Sequence, residues 1–157
     1  MRFVGVPRTL AVAGILAASC GCGSTTTSPT GTLAVIAVSV APNPITATVY
    51  STVGPIYAVN WTTTIVESGG RGGTVQYVLA SLYDPNTGAL LAVANYDSSD
   101  LMVFIGTSRI AALGSMSVPQ QTTFTSTTGK AALLTVIVSF KDDGGVVTER
   151  SVLVKVQ

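Results

Sequence analysis

The 157-residue chain contains no histidine and only two cysteines, Cys20 and Cys22, which stand one residue apart. Without an imidazole there is no Ser-His-Asp or Cys-His relay, and the commonest general base is missing. A zinc centre wants four ligands, usually Cys and His, which this composition does not supply. A disulfide between Cys20 and Cys22 would close a very small ring, in which normal Cα separation and torsion are hard to reach without strain. Charge is scarce as well. Eight basic residues face seven acidic ones, and with Arg2 and Arg8 set aside six remain against seven. That balance offers neither a basic surface for nucleic acid nor an acidic tail. No apolar run reaches the ~20 residues of a membrane-spanning helix; the longest beyond the N-terminus, Ala131 to Phe140, is flanked by Lys130 and Lys141. A GxSxG motif is absent, and the glycine-rich "SGGRGGT" lacks the Lys-Ser/Thr ending of a phosphate cradle, so it reads as a loop with one cation.

What is present begins with an export signal. "MRFVGVPR" carries two arginines, and "TLAVAGILAAS" follows as an uncharged apolar stretch of signal-peptide length ending in small residues. The next residues, "LAASC", decide what the cysteines are. They resemble the lipobox of bacterial lipoproteins, in which a small residue precedes a cysteine that is lipidated and becomes N-terminal after cleavage. The resemblance implies Cys20 as the lipidated residue and a multiply acylated, firmly held membrane anchor. Ordinary cleavage, leaving a secreted chain, is the alternative. The eleven residues "GCGSTTTSPTG" have the composition of a flexible tether spanning roughly 18 Å root-mean-square. The expected organisation is therefore a signal peptide over 1–19, a lipid-anchored tether over 20–31 and one domain over 32–157.

That domain is rich in Val and Thr, which fit a pleated surface better than a helix. "TLAVIAVSV" predicts a first strand, ended by the two prolines of "APNPI". In "IYAVNWTTTIV" strict alternation puts Tyr57, Val59, Trp61, Thr63 and Ile65 on one face, with Trp61 the largest core anchor. "TVQYVLASLYD" sends Val78, Ala80 and Leu82 inward and Tyr77, Leu79 and Tyr83 outward. "DPNTG" turns the chain into a short returning strand, "ALLAVANY". Asp97 to Gly106 reads as a helical turn near 99–106, because Asp97, Ser98 and Ser99 can cap it and Gly106 can stop it, or equally as one more short strand, which Val, Phe and Ile favour. Three strands close the chain: "SMSVPQQTTFTS", the doubly apolar "AALLTVIVSF", and "VVTERSVLVKV" after the "DDGG" hairpin.

The fold class predicted is all-β: a single antiparallel β-sandwich of about seven strands. The strand order, the tryptophan on the second strand and the proline-bounded first strand resemble an immunoglobulin-like or fibronectin type III-like domain of bacterial envelope proteins. The chain departs from the antibody pattern in having no intersheet disulfide and no tyrosine corner.

Candidate sites are few. Tyr77, Leu79 and Tyr83, with Tyr96 alongside, could form an aromatic binding surface, although a one-residue slip would exchange the faces. Asp97 with Asp100, and Asp142 with Asp143, are oxygen ligands of the type calcium takes, each pair short of the six to eight it prefers; turns and caps explain the same residues without a metal. Glu67, Asp84 and Glu149 fall at strand ends and turns with no sign of a glycosidase cleft. The expectation is a non-enzymatic protein without cofactor, exported to the periplasm or cell surface and held to the membrane by a lipid anchor. Its partner would be an envelope protein or, alternatively, a glycan, and not nucleic acid.

Overall fold

The computed structural model describes residues 33–157; Cys20, the signal segment and the tether lie outside the described residues. Nine strands and one helix follow in order: β1 (Ile36–Ala41), β2 (Thr48–Ser51), β3 (Ile56–Glu67), β4 (Gly73–Tyr83), β5 (Leu90–Asp97), α1 (Ser98–Ile105), β6 (Arg109–Ile110), β7 (Ser115–Thr125), β8 (Ala132–Asp142) and β9 (Val147–Val156). They make two antiparallel sheets. In one, β3 pairs with β7 along one edge and with β1 and then β2 along the other; the second runs β5-β4-β8-β9, with β6 also on β4.

The seven long strands are the seven the sequence predicts, and β2 and β6 raise the count to nine. Both additions are too short to carry a periodic signal. They exist because longer strands outrun their partners. Pairing of β1 with β3 stops at Ala41 opposite Thr62, and β2 takes up the same edge opposite Ala58 and Tyr57. Likewise β5 stops at Asp97 opposite Tyr77, and β6 covers Gly73 and Thr74 of β4. Backbone groups left bare by the long partners are thereby satisfied.

Alternation along the strands builds one core between the sheets. Trp61, Thr63 and Ile65 of β3 and Met116 and Val118 of β7 are buried from one side; Val78, Ala80 and Leu82 of β4, Val136 and Val138 of β8 and Val154 and Val156 of β9 are buried from the other. The apolar members of both sets belong to a single cluster. The chain between β1 and β2 leaves the β3 sheet and lies parallel to the end of β9. There Ile45 N donates to the Lys155 carbonyl and the Ile45 carbonyl accepts from Gln157 N, both at 2.9 Å, and Ile45 is fully buried. This crossing covers part of the β9 edge, which would otherwise present unpaired backbone groups.

Where the sequence predicts a helical turn, α1 forms two turns of helix. Asp97 Oδ1 accepts from Ser99 N at 2.8 Å and Asp100 N at 2.9 Å, while Asp100 Oδ2 accepts from Asp97 N at 3.1 Å. This reciprocal box satisfies orphan donors at the helix start. Gly106, at φ 78°, ends the helix in the left-handed conformation that glycine adopts without a Cβ penalty. Only Leu101 of α1 is buried, so Met102, Val103 and Phe104 remain exposed.

Candidate functional site

Six residues of β3 and β7 form the floor of a cleft: Asn60, Trp61 and Thr62 stand opposite Gln121, Gln120 and Pro119 in the ladder. Ala41 and Pro42, at the end of β1, lie along one side; Tyr96 of β5 and Phe104 of α1 lie along the other. The cleft is open and has a volume of about 630 Å³. Alternation divides the floor. Trp61 and Gln120 are buried, whereas Asn60, Pro119 and Gln121 are exposed and Thr62 is half-buried, so the latter four side chains project to the outer side of the sheet, opposite to Trp61 and Gln120. Proline is tolerated at 119 because β7 is an edge strand, paired only with β3.

Beneath the floor, Gln120 Oε1 accepts from Trp61 Nε1 at 2.7 Å and from the Thr63 hydroxyl at 2.6 Å. An indole N–H can only donate, so the amide orientation is fixed: oxygen toward Trp61, nitrogen away. Gln120 Nε2 then has no partner among the described residues. At the rim, Tyr96 and Phe104 meet edge to face, with ring centroids 5.6 Å apart and planes at 75°. Phe104 is 66% exposed and Tyr96 half-buried. No lining residue is charged.

The sequence-predicted surface residues separate. Tyr77, Leu79 and Tyr83 share the outer face of β4, as the alternation predicts, each half-buried. The Tyr77 hydroxyl donates to Glu149 Oε1 across that face, and this hydrogen bond, with burial, pushes the phenol pKa up. Tyr96 does not lie alongside them. It stands opposite Val78, a core position, so its ring is on the other side of the sheet and belongs to the cleft.

The acidic pairs have structural occupations. Asp97 and Asp100 make the capping box of α1. In the β8–β9 hairpin, Asp142 Oδ1 accepts from Gly144 N and Val146 N, both at 2.9 Å, and Arg71 lies 3.6 Å from Oδ2. Burial opposes the charge of Asp142, but the two backbone donors and Arg71 outweigh it and hold the pKa below its ordinary value. Asp143 takes a two-pronged grip from Arg109 at 2.8 and 2.7 Å, which lowers its pKa. Asp84, at the far end of β4, accepts from the Thr128 hydroxyl at 2.7 Å and from Asn86 N and Thr87 N. Glu67, Asp84 and Glu149 thus occupy three separate places: the start of the β3–β4 loop, the β4–β5 turn and the outer face beside Tyr77.

Glu67 is almost fully buried. Its carboxylate accepts from Val35 N at 3.1 Å, Gly69 N at 2.6 Å, Gly70 N at 3.1 Å and Leu113 N at 2.8 Å. Desolvation works against the charge, yet these backbone donors win and the pKa is lowered. Two signals in the sequence point here: alternation carries Glu67 onto the face of Trp61 and Ile65, and the glycine-rich loop follows at once.

No family model and no curated protein sequence matches the chain. Solved structures do. The Northeast Structural Genomics Consortium target SoR45 superposes with a TM-score of 0.60 at 14% identity, over 77% of this chain and 85% of that one. The ApaA protein from Bordetella pertussis gives 0.57 at 12% identity, over 77% and 93%. The likeness is one of fold. At such identities it carries no residue of the cleft with it.

Proposed function

We propose that the chain is an exported bacterial lipoprotein whose β domain, an immunoglobulin-like or fibronectin type III-like sandwich, is a non-catalytic interaction module of the cell envelope. The observation that carries this reading is the employment of the buried carboxylates. Glu67, Asp84 and Asp142 each accept from two or more backbone N–H groups, joined at Asp84 by the Thr128 hydroxyl and at Asp142 by Arg71, which suits holding a scaffold rather than passing protons. The cleft, by contrast, is lined by amides, hydroxyls and aromatic rings without a charged side chain. Such a surface is made for recognition. The single core between two antiparallel sheets supports the sandwich reading. The lipid anchor is supported by "LAASC" at the end of the apolar run, with Cys20 the acceptor.

The test is metabolic labelling with a fatty-acid analogue in wild type and Cys20→Ala, followed by crosslinking in envelope preparations. Label on the wild type alone, with a defined crosslinked partner, is the expected result. Label that persists on Cys20→Ala would remove Cys20 as the anchor, and label on neither would make the chain a secreted one. A carbohydrate-binding module is the second reading, favoured by the uncharged, amide-bearing cleft.

A further inference from the structure

At the end of the domain where β3 finishes and β1 begins, two buried carboxylates hold the backbone, and apolar side chains are left on the surface. Glu67 accepts from the N–H groups of Val35 and Leu113; Asp142 accepts from that of Val146, and the Ala34 N–H helps to hold its charge. The side chains of Leu33, Val35, Leu113 and Val146 are between 46% and 72% exposed. Leu113, the most exposed of the four, has φ 57°, the one positive value outside glycine among the described residues. Glycine or asparagine suits that conformation better than leucine, and so exposed a side chain gains little from burial. Neither the turn nor the core accounts for it. Single exposed apolar residues are ordinary, whereas several at one place mark an interaction surface. The cations of this end are matched, since Arg71 lies 3.6 Å from Asp142 and Arg109 grips Asp143.

The point at which the chain enters the domain indicates what covers this surface. Leu33 lies so close against the β3–β4 loop that a Cβ on Gly69 would run into the Leu33 carbonyl. A lipid on Cys20 is joined to this end by residues 21–32, a length that spans roughly 19 Å root-mean-square. The far end, where β2 turns into β3, is a strand length further off, about 36 Å for the eleven residues of β4. Val49, Tyr50 and Val53 are exposed there too, but the anchor does not bring them to the membrane.

We propose that the end carrying Leu33, Val35, Leu113 and Val146 docks on the lipid surface, its four apolar side chains entering the boundary between headgroups and acyl chains of the bilayer that holds Cys20. This rests on the lipoprotein reading above and adds an orientation to it, with the β2–β3 turn pointing away from the bilayer. So small an apolar wedge binds weakly alone and acts as the second signal beside the anchor.

The experiment reconstitutes the mature protein, purified from membranes with its lipid, into phosphatidylcholine vesicles whose acyl chains are brominated near the glycerol. Tryptophan emission is compared among wild type, Leu113→Trp and Val53→Trp. Trp61, the only tryptophan of the chain, is buried and gives the unquenched baseline. Leu113→Trp is expected to lose more than about half of its added emission, at low and high salt alike because charge plays no part, while Val53→Trp keeps its own. Val146→Trp, on the β8–β9 hairpin, is the second reporter should thermal melts show Leu113→Trp unfolded. Emission kept at both of these positions, or lost equally in Val53→Trp, overturns the docking; fatty-acid label on Cys20 in that case leaves the anchor standing. If Cys20 carries no label, the secreted chain is mixed with the same vesicles. Quenching confined to Leu113→Trp then upholds the docking without the anchor, and its absence overturns it.

Discussion

The indole N–H of Trp61 donates to Oε1 of Gln120 at 2.7 Å between directly opposed positions of β3 and β7. Thr63 donates to the same oxygen. One amide therefore serves as sole acceptor for two buried donors on the neighbouring strand, while its own nitrogen goes without a partner. An orphaned buried donor costs about 1–3 kcal/mol, so the trio stabilises the junction of β3 and β7 by less than its two short bonds suggest. It also fixes which way Trp61, the largest side chain of the β3 face, is turned.

Gln120→Met removes the shared acceptor and leaves the indole N–H and the Thr63 hydroxyl buried without partners, while it also removes the orphaned amide nitrogen. The expected net loss is about 1–3 kcal/mol, read as a lower urea midpoint at unchanged slope. Thr63→Val, costly in the wild type, becomes nearly neutral on the Gln120→Met background. Costs that simply add would show that the three groups do not act together.

Replacing Glu67 by Gln keeps the shape but turns one accepting oxygen into a donor that faces backbone N–H groups. Val35, the Gly69–Gly70 loop and Leu113 converge on that carboxylate, beside the backbone bonds Ser68 N to the Val35 carbonyl and Glu67 N to the Gly114 carbonyl. The expected cost is about 2 kcal/mol, with faster amide exchange confined to residues 33–35, 67–72 and 111–114. Uniform exchange throughout the domain would mean that Glu67 does not organise this end.

Acid stability follows from the same carboxylates. Glu67 and Asp142 have folded pKa values below their ordinary 4.5 and 3.8. A depressed pKa contributes stability that is present above the ordinary value and lost as pH falls through the folded one. With no histidine in the chain, stability is expected to be flat between about pH 5 and 8 and to fall below about 4.5. In Glu67→Gln that acid limb is shallower, as thermal melts from pH 2 to 8 would record; an equally steep limb would assign the loss to other carboxylates.

Asp97→Ala opens the capping box of α1. A lost cap costs about 1 kcal/mol, and here the consequence reaches the cleft, since α1 carries Phe104 to its rim. The Tyr96–Phe104 ring contact should weaken, visible as loss of ring-current shifts on both residues in NMR spectra, while the core methyls of Val136 and Leu134 stay in place. Ring shifts left unchanged would show that Tyr96 alone fixes Phe104.

Much of the fold is legible residue by residue. Period-two alternation assigns the inward faces of β3 and β4 correctly, because one face of each strand must enter an apolar core and a slip would exchange every side chain. The caps of the helix, Asp97 and Gly106, are legible because caps act through neighbours in sequence, but Val103, Phe104 and Ile105 suit a strand as well, and the structure decides for the helix. Tyr96 was misplaced beside Tyr77 and Tyr83 for lack of the register between β4 and β5, which only pairing supplies.

By itself, then, the sequence determined the all-β class, the core faces of β3 and β4, the cap residues of the helix and the absence of any imidazole chemistry. These follow from local propensity, alternation and composition, which act over a few residues. Tertiary structure alone decided the existence of β2 and β6, the backbone donors gathered on Glu67 from residues 35 to 113, and a cleft whose lining is drawn from five elements between residues 41 and 121. Each of those depends on groups brought together only when two sheets close on one core, and no local pattern encodes which distant backbone donor or ring will arrive.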